Sequence, residues 1–236
     1  MKALIFAAGR GERLRPLTDH TPKPLIAVRG KPLIQYHMEA LLQAGITDWV
    51  INVSWLHQQI IDFVSELLKK PHMASAQVQF SIETDGPLET GGGMLKALPL
   101  LTTGQAKPEP FVVVNADVFT DFDFQTLQPL PPNHTVNLVL VNNPVHHPAG
   151  DFGLNTAPNQ VPQLTLKEHA PAHHTYAGIG LYHPEFLQPP FEQAVFKLLP
   201  HLQAAISQQR ATAQLHQGLW VDVGSVERLD ALNQRG

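Results

Sequence analysis

The sequence predicts an α/β protein built on a mostly parallel sheet with helices on both faces. Three observations carry this. Apolar runs of strand length alternate with stretches of helical spacing through the first 120 residues. The first run ends on a glycine loop, and the composition (43% hydrophobic, 15% charged) is that of a chain able to bury a large core without staples.

Taken in order, Lys2 to Ala7 is a short and nearly unbroken apolar run stopping at Ala8-Gly9-Arg10-Gly11, the pattern of a buried parallel strand feeding a glycine loop. A long loop runs to Pro32. Apolar residues at 33, 34, 38, 41 and 42 then keep helical spacing until Gly45. Trp49 to Val53 reads as the second strand. His57 to Leu68 is a helix ended by Pro71, and Val78 to Ile82 a strand. Leu95 to Leu101 has the spacing of the C-terminal half of a helix, with Pro87 to Gly93 ahead of it read as a loop. Phe111 to Val114 is a buried strand. Strand and helix alternating at this spacing imply right-handed crossovers.

Beyond residue 120, prolines cut the chain into short pieces. Val136 to Val141, Leu164 to Leu166 and Tyr176 to Tyr182 are the expected strands, and Gln193 to Ser207 the expected helix. The proline-rich stretches 129–132 and 188–190 are too brief for linkers, so one domain over 1–236 is expected, with halves 1–120 and 121–236. The loop-rich interval 142–175 suggests a binding rim.

Composition narrows the function. No cysteine is present, which excludes disulfides, thiolate zinc and a cysteine nucleophile. The apolar run Ala3 to Ala8 is too short for a signal peptide or a membrane span, so a cytoplasmic protein without a membrane partner is expected. Residues 1–31 carry a local charge of +5 from seven Lys/Arg against Glu12 and Asp19, on a chain whose net charge is −4. A basic head on an acidic body suits a local anion site better than a nucleic-acid surface, which needs a spread basic face. His146-His147 and His173-His174 do not suggest one metal ion, because neighbours on a strand point to opposite faces. No Gly-x-Ser-x-Gly elbow is present.

The loop Ala7-Ala8-Gly9-Arg10-Gly11-Glu12-Arg13-Leu14 lacks the Gly-Lys-Ser/Thr of a Walker loop and has Leu14 where a dinucleotide loop needs its third glycine. What it offers is bare backbone for close approach to a nucleotide, with Arg13 and Lys23 to meet phosphate. Taken alone, Gly9 and Gly11 also fit an ordinary strand-to-loop turn. The longer string Gly9-x-Gly11-x-Arg13-Leu14-x-Pro16-Leu17-Thr18, then Thr21-Pro22-Lys23-Pro24, resembles the signature of the sugar-1-phosphate nucleotidyltransferases. The resemblance continues through Pro87-Leu88-Glu89-Thr90-Gly91-Gly92-Gly93, Asn115-Ala116-Asp117 and Trp220-Val221-Asp222-Val223-Gly224, covering essentially the whole chain.

That resemblance implies a Rossmann-like nucleotidyltransferase sandwich with a mixed, mostly parallel sheet. It implies that Arg13 and Lys23 are catalytic, holding the phosphates and stabilising the group in transfer, and that Asp117 and Asp222 bind Mg2+. Both aspartates follow short apolar segments, as ligands of open α/β sheets do, and magnesium needs only one or two carboxylates besides substrate phosphates. The resemblance further implies base and ribose against Ala7, Ala8, Gly9 and Gly11 and against Glu89, Gly91 and Gly92. Many relatives have Leu-Gly-Thr-Ala-Gly at the second place, and the departure here leaves the base open. Asp151, Lys167 and Gly178 are the expected sugar-phosphate contacts, although Lys167-Glu168-His169 departs from the Glu-Lys-Pro that relatives often carry.

The substrates implied are a nucleoside triphosphate and a sugar 1-phosphate that is already ionised, so no general base is required. The string Asn143 to Phe152 and the glycines 91–93 look most like the branch that uses UTP and N-acetylmuramate 1-phosphate in peptidoglycan recycling, with His146, His147 and Lys167 as candidate contacts to the lactyl carboxylate. Mannose- or heptose-1-phosphate guanylyl transfer, or a non-catalytic nucleotide-sugar sensor, are the alternatives. The chain stops fourteen residues after Asp222, short of the extensions many members carry, and is expected to be a monomer.

Overall fold

The computed structural model describes residues 1–234 except 85, 157–160, 171, 188, 190 and 192. One nine-stranded sheet runs in the order β5-β4-β1-β6-β11-β8-β12-β10-β9. Its first part is parallel: β1 (Lys2–Ala7) pairs on one side with β4 (Asp48–Val53), itself paired with β5 (Gln77–Ile82), and on the other side with β6 (Phe111–Asn115). The chain therefore builds outward from β1 and returns to its other flank. That reversal opens a crevice at the carboxyl ends of β1 and β6, where open α/β sheets take ligands.

The second half extends the same sheet. β11 (His173–Tyr182) runs antiparallel to both β6 and β8 (Val136–Val141), while β12 (Ala211–His216) is parallel to β8. β10 (Gln163–Thr165) lies antiparallel between β12 and β9 (Phe152–Asn155), and β9 also reaches the start of β11. Two small ladders stand apart from the main sheet: β2 (Ala27–Val28) with β3 (Lys31–Pro32), and β7 (Val118–Thr120) with β13 (Trp220–Asp222).

Strand residues alternate between two cores, because successive side chains leave opposite faces of a sheet. Ala3, Ile5 and Ala7 face α1 (Leu33–Gln43) and α2 (His57–Leu68) through Ile34, Met38, Leu41, Ile60 and Val64. Leu4 and Val50 face α3 (Glu89–Thr102) through Met94, Ala97 and Leu101, a core that also takes Leu202 and Ala205 of α4 (Leu199–Ser207). A third cluster joins Leu14, Ile26 and Val28 of the first loop to Phe119, Val223 and Leu229. Leu229 lies on α5 (Val226–Gln234), so the glycine loop and both aspartate-bearing turns are packed on one apolar patch.

Three expectations are corrected. The residues read as a loop, Glu89 to Gly93, are the first turns of α3. The helix expected from Gln193 begins only at Leu199, because the preceding segment is drawn across α3 by backbone bonds that periodicity does not encode. The rim 142–175 is less irregular than its prolines suggest, holding β9, β10 and a 3-10 turn at Lys167–His169. Pro-rich residues 188 and 190 lie outside the described residues.

Candidate functional site

A cleft of about 650 Å³ opens at the carboxyl ends of the parallel strands. Ala7, Ala8, Gly9 and Gly11 line it from the first loop and Glu89 and Thr90 from the start of α3, together with Arg10, Arg13, Lys23 and Asp117. Of the seven basic residues in 1–31, these three cations line it. Arg15 instead pairs with Asp19 (3.2 Å), Lys31 with Glu39, and Lys2 donates to the Leu100 and Thr103 carbonyls.

The loop is held by short-range bonds. Gly11 sits at φ +66°, and its carbonyl accepts from Leu14 N (2.8 Å) and Thr18 Oγ1 (2.9 Å). Buried Leu14 fixes the loop to the core while Arg13, next to it, faces the cleft. From the start of α2, Trp55 Nε1 and Gln59 Nε2 donate to the carbonyls of Thr18 and His20. Trp49 is in the core and half-buried Trp220 packs against it, its indole N–H bonded to Ala177 O (2.9 Å).

Lys23 is almost wholly buried and donates from Nζ to Asp117 Oδ2 at 2.6 Å. The β7–β13 ladder brings the second aspartate alongside, with Val223 N donating to Asp117 O (2.8 Å) and Asp222 paired with Val118. Asp222 Oδ1 lies 2.9 Å from His146 Nε2 and 3.2 Å from the Arg228 guanidinium, so its charge is met from two sides. Asp117, in the turn before β7, lines the cleft, whereas Asp222, on the paired strand β13, is a near neighbour that does not line it. Among the described residues no group of three or more His, Cys, Asp or Glu gathers to hold a metal, so a cation here would need substrate oxygens to complete its shell.

At the inner end stand groups that the sequence reading missed. Buried Glu83 accepts from Asn52 Nδ2 (2.9 Å) and from Leu88 N (2.9 Å), and both side chains line the cleft. Asn115 lines it as well. The available signal was a polar residue at the end of an apolar strand, as in Val50-Ile51-Asn52 and Val113-Val114-Asn115.

A second cavity of about 630 Å³ adjoins the first, and Phe6, Thr90 and Asn115 line both. Asp151 and Lys167 line it as expected. Asp151 accepts from Tyr176 N (2.9 Å) and faces His147 Nε2 (3.0 Å), while Lys167 Nζ donates to Gly150 O (3.0 Å). Glu168 and Gln203 add polar groups, and Phe152, Leu166, Tyr176, Tyr182 and three leucines form an apolar stretch; burial pushes the Tyr176 hydroxyl, 3.2 Å from that of Tyr182, up to about 12.

Four expected contacts line neither cavity, Asp222 among them. Gly91 and Gly92 line neither cavity, since both amides donate to Phe196 O (2.8 and 3.2 Å). Gly178 (φ +74°) also lines neither. It lies under Asn115, whose side chain would stand 2.9 Å from a Cβ there, so its bareness admits Asn115 to the wall between the cavities.

The family model for nucleotidyl transferases matches residues 2–235. The chain belongs to that family. This nucleotidyl transferase is 46% identical over 233 residues to N-acetylmuramate alpha-1-phosphate uridylyltransferase of Neisseria meningitidis serogroup B, covering 97% of this chain and 95% of the relative. It is 32% identical over 232 residues to the mannose-1-phosphate guanylyltransferase catalytic subunit beta of Drosophila pseudoobscura pseudoobscura, of which it spans 59%. In fold it is similar to a putative glucose-1-phosphate thymidylyltransferase from Bacillus anthracis (TM-score 0.77, 18% identity, 100% of this chain and 94% of that one). UDP-glucose pyrophosphorylase in complex with UDP-glucose is also similar (TM-score 0.74, 18% identity, 99% and 97%). The Rossmann-like α/β sandwich expected from the sequence is therefore the fold of this enzyme. Among the described residues no helix is long and apolar enough to cross a membrane.

Proposed function

We propose that this enzyme transfers the uridylyl group of UTP to N-acetylmuramate 1-phosphate, releasing pyrophosphate, in the cytoplasmic recycling of peptidoglycan. The observation that carries the reading is the pair of adjoining cavities that share Phe6, Thr90 and Asn115: the first sets Arg10, Arg13 and Lys23 beside bare glycine-loop backbone, and the second sets Lys167 beside an apolar stretch. Residues 1–120 hold most of the nucleotide side and residues 121–236 most of the sugar side. The choice of uridylyl and N-acetylmuramate follows the relative that matches 46% over nearly its whole length.

In this reading the bare backbone of Ala8 and Gly9 meets the nucleotide, and Glu83, an acceptor-only group, accepts the imide N–H of the base. Uracil and guanine both offer such a donor, so Glu83 alone does not choose between them. Arg13 and Lys23 stabilise charge on the α-phosphate and the departing pyrophosphate. Asp117 and Asp222 would hold magnesium: they are carboxylates, the donor class that ion takes, on neighbouring segments joined by the β7–β13 ladder, and the ion would compete with Lys23 for Asp117 and with Arg228 and His146 for Asp222. When bound, the ion supplies a Lewis acid that neutralises phosphate charge. The acceptor phosphate is the nucleophile and attacks in line from the second cavity, near Lys167, so both substrates are held together and no covalent enzyme intermediate forms.

The test is pyrophosphate release over a matrix of four nucleoside triphosphates and several sugar 1-phosphates. UTP with N-acetylmuramate 1-phosphate should be fastest, with roughly 5- to 150-fold discrimination against N-acetylglucosamine 1-phosphate from an unpaired carboxylate partner. Preference for GTP with mannose 1-phosphate would overturn the assignment, and nucleotide binding without pyrophosphate release would mark a sensor.

A further inference from the structure

Helix α3 begins on a glycine run whose amides are claimed by a distant part of the chain. Gly91 and Gly92 donate to Phe196 O, Phe196 N returns a bond to Leu88 O (3.2 Å), and Leu198 N donates to Thr90 Oγ1 (3.2 Å). First-turn amides have no partner inside their own helix, and here a segment a hundred residues later supplies it. The approach tolerates no side chain. A Cβ on Gly91 would stand 2.3 Å from the Phe196 ring, and one on Gly92 2.1 Å from Ala194 O. Directly beyond this dock, Leu198, Leu199 and Leu202 line the second cavity, while Thr90, inside the dock, lines both.

We infer that Gly91 and Gly92 are positioning residues for the acceptor, docking residues 194–199 so that Leu198, Leu199 and Leu202 form a wall selecting sugar 1-phosphates with methyl-bearing substituents. The inference rests on the reading that the second cavity takes the sugar 1-phosphate. The leucines share the lining of that cavity with Phe152, Tyr176 and Tyr182, so an acetamido or lactyl methyl against them removes more apolar surface from water than a bare hydroxyl does. The nucleotide touches none of the three leucines, since none lines the first cavity.

The experiment compares Gly91→Ala and Leu199→Ala with the wild type, using UTP, N-acetylmuramate 1-phosphate and glucose 1-phosphate. Leu199 is half-exposed, so its truncation leaves the fold in place even if Gly91→Ala does not. Leu199→Ala should raise the acceptor KM about fivefold and narrow the preference over glucose 1-phosphate, and Gly91→Ala should raise that KM about tenfold or more. The Kd for UTP alone, by calorimetric titration, should stay within twofold in both. Hydrogen exchange gives a readout independent of turnover: the amides of Gly91, Gly92 and Leu198 should be protected together and released together in Gly91→Ala. UTP affinity falling as far as acceptor KM rises, or acceptor KM unchanged in folded variants, would overturn the inference. If the wild type uses only another acceptor, the functional reading fails, and the same comparison with that acceptor decides the dock.

Discussion

Gly9 and Gly11 stand two residues apart in one loop, yet replacing each with alanine should have opposite consequences. A Cβ on Gly9 meets nothing within 4 Å, and its backbone is outside the left-handed region. Gly9→Ala should therefore cost no stability and shift the melting temperature by less than about 2 °C. What it removes is the bare surface of the cleft wall, so a ligand pressed against that backbone must move away. Gly11 is at φ +66°, and a Cβ there would stand 2.8 Å from Thr18 Cγ2 and 3.1 Å from Lys23 Cβ. Left-handed backbone costs alanine about 1–2 kcal/mol, before Thr18 and Lys23 give way. For a chain of this size that lowers the melting point by roughly 2–8 °C. Because Lys23 must shift, kcat should also fall. Scanning calorimetry of the free proteins and calorimetric titration with UTP separate the two effects. Gly9→Ala should melt like wild type and bind UTP at least tenfold more weakly, while Gly11→Ala should melt early. A Gly9→Ala protein with a lowered melting point and wild-type UTP affinity would refute the assignment of Gly9 to ligand approach.

Asp117→Ala and Asp222→Ala should each lower activity by about two orders of magnitude while leaving the chain folded, and wild-type turnover of either variant at limiting magnesium would exclude that residue as a metal ligand. Arg13→Ala should lower kcat, since an interaction made mainly in the transition state does so, whereas a uniform binding contact raises KM alone; unchanged kcat in steady-state kinetics rejects the catalytic role. Burial pulls the His37 imidazole from 6.5 down to about 4, against the opposing pull of its bond to Val118 O and the nearby Asp117 charge. The folded state thus stays unprotonated where the unfolded chain binds a proton, so this contribution is complete above pH 6.5 and lost as pH falls towards 4. It amounts to roughly 3 kcal/mol. Urea denaturation across that window should show the loss in the wild type and a flatter profile in His37→Gln, and parallel profiles would contradict it.

The half of the fold that is legible in the sequence is the half made by local pattern. The strands at Lys2, Trp49, Val78 and Phe111 and the helices at Leu33 and His57 follow from hydrophobic periodicity, and the switch point they create positions the first cleft. Arg13, Lys23 and Asp117 were picked out by the resemblance of their motifs to the family signature, and the structure places all three in the lining of the cleft. Asn52 and Glu83 were not singled out, because a lone polar residue ending a strand is indistinguishable in sequence from a solvated one until burial is known.

Pairings between distant segments were decided by tertiary structure alone. The resemblance makes Pro87 to Gly93 a nucleotide loop; close backbone approach does occur at its glycines, with Phe196 and Ala194 as the partner. A glycine records that something comes near without recording what. The helix expected from Gln193 starts six residues late because Phe196 and Leu198 make backbone bonds to Leu88, Gly91, Gly92 and Thr90, and sequence periodicity is blind to bonds between main-chain atoms. Likewise Gly178 was assigned to the sugar and turns out to seat Asn115. The sequence by itself determined the order of strands and helices, through local hydrophobic pattern, and the motifs that mark the family; the division into two cavities depended on which segments dock, a long-range choice made by backbone hydrogen bonding and steric fit.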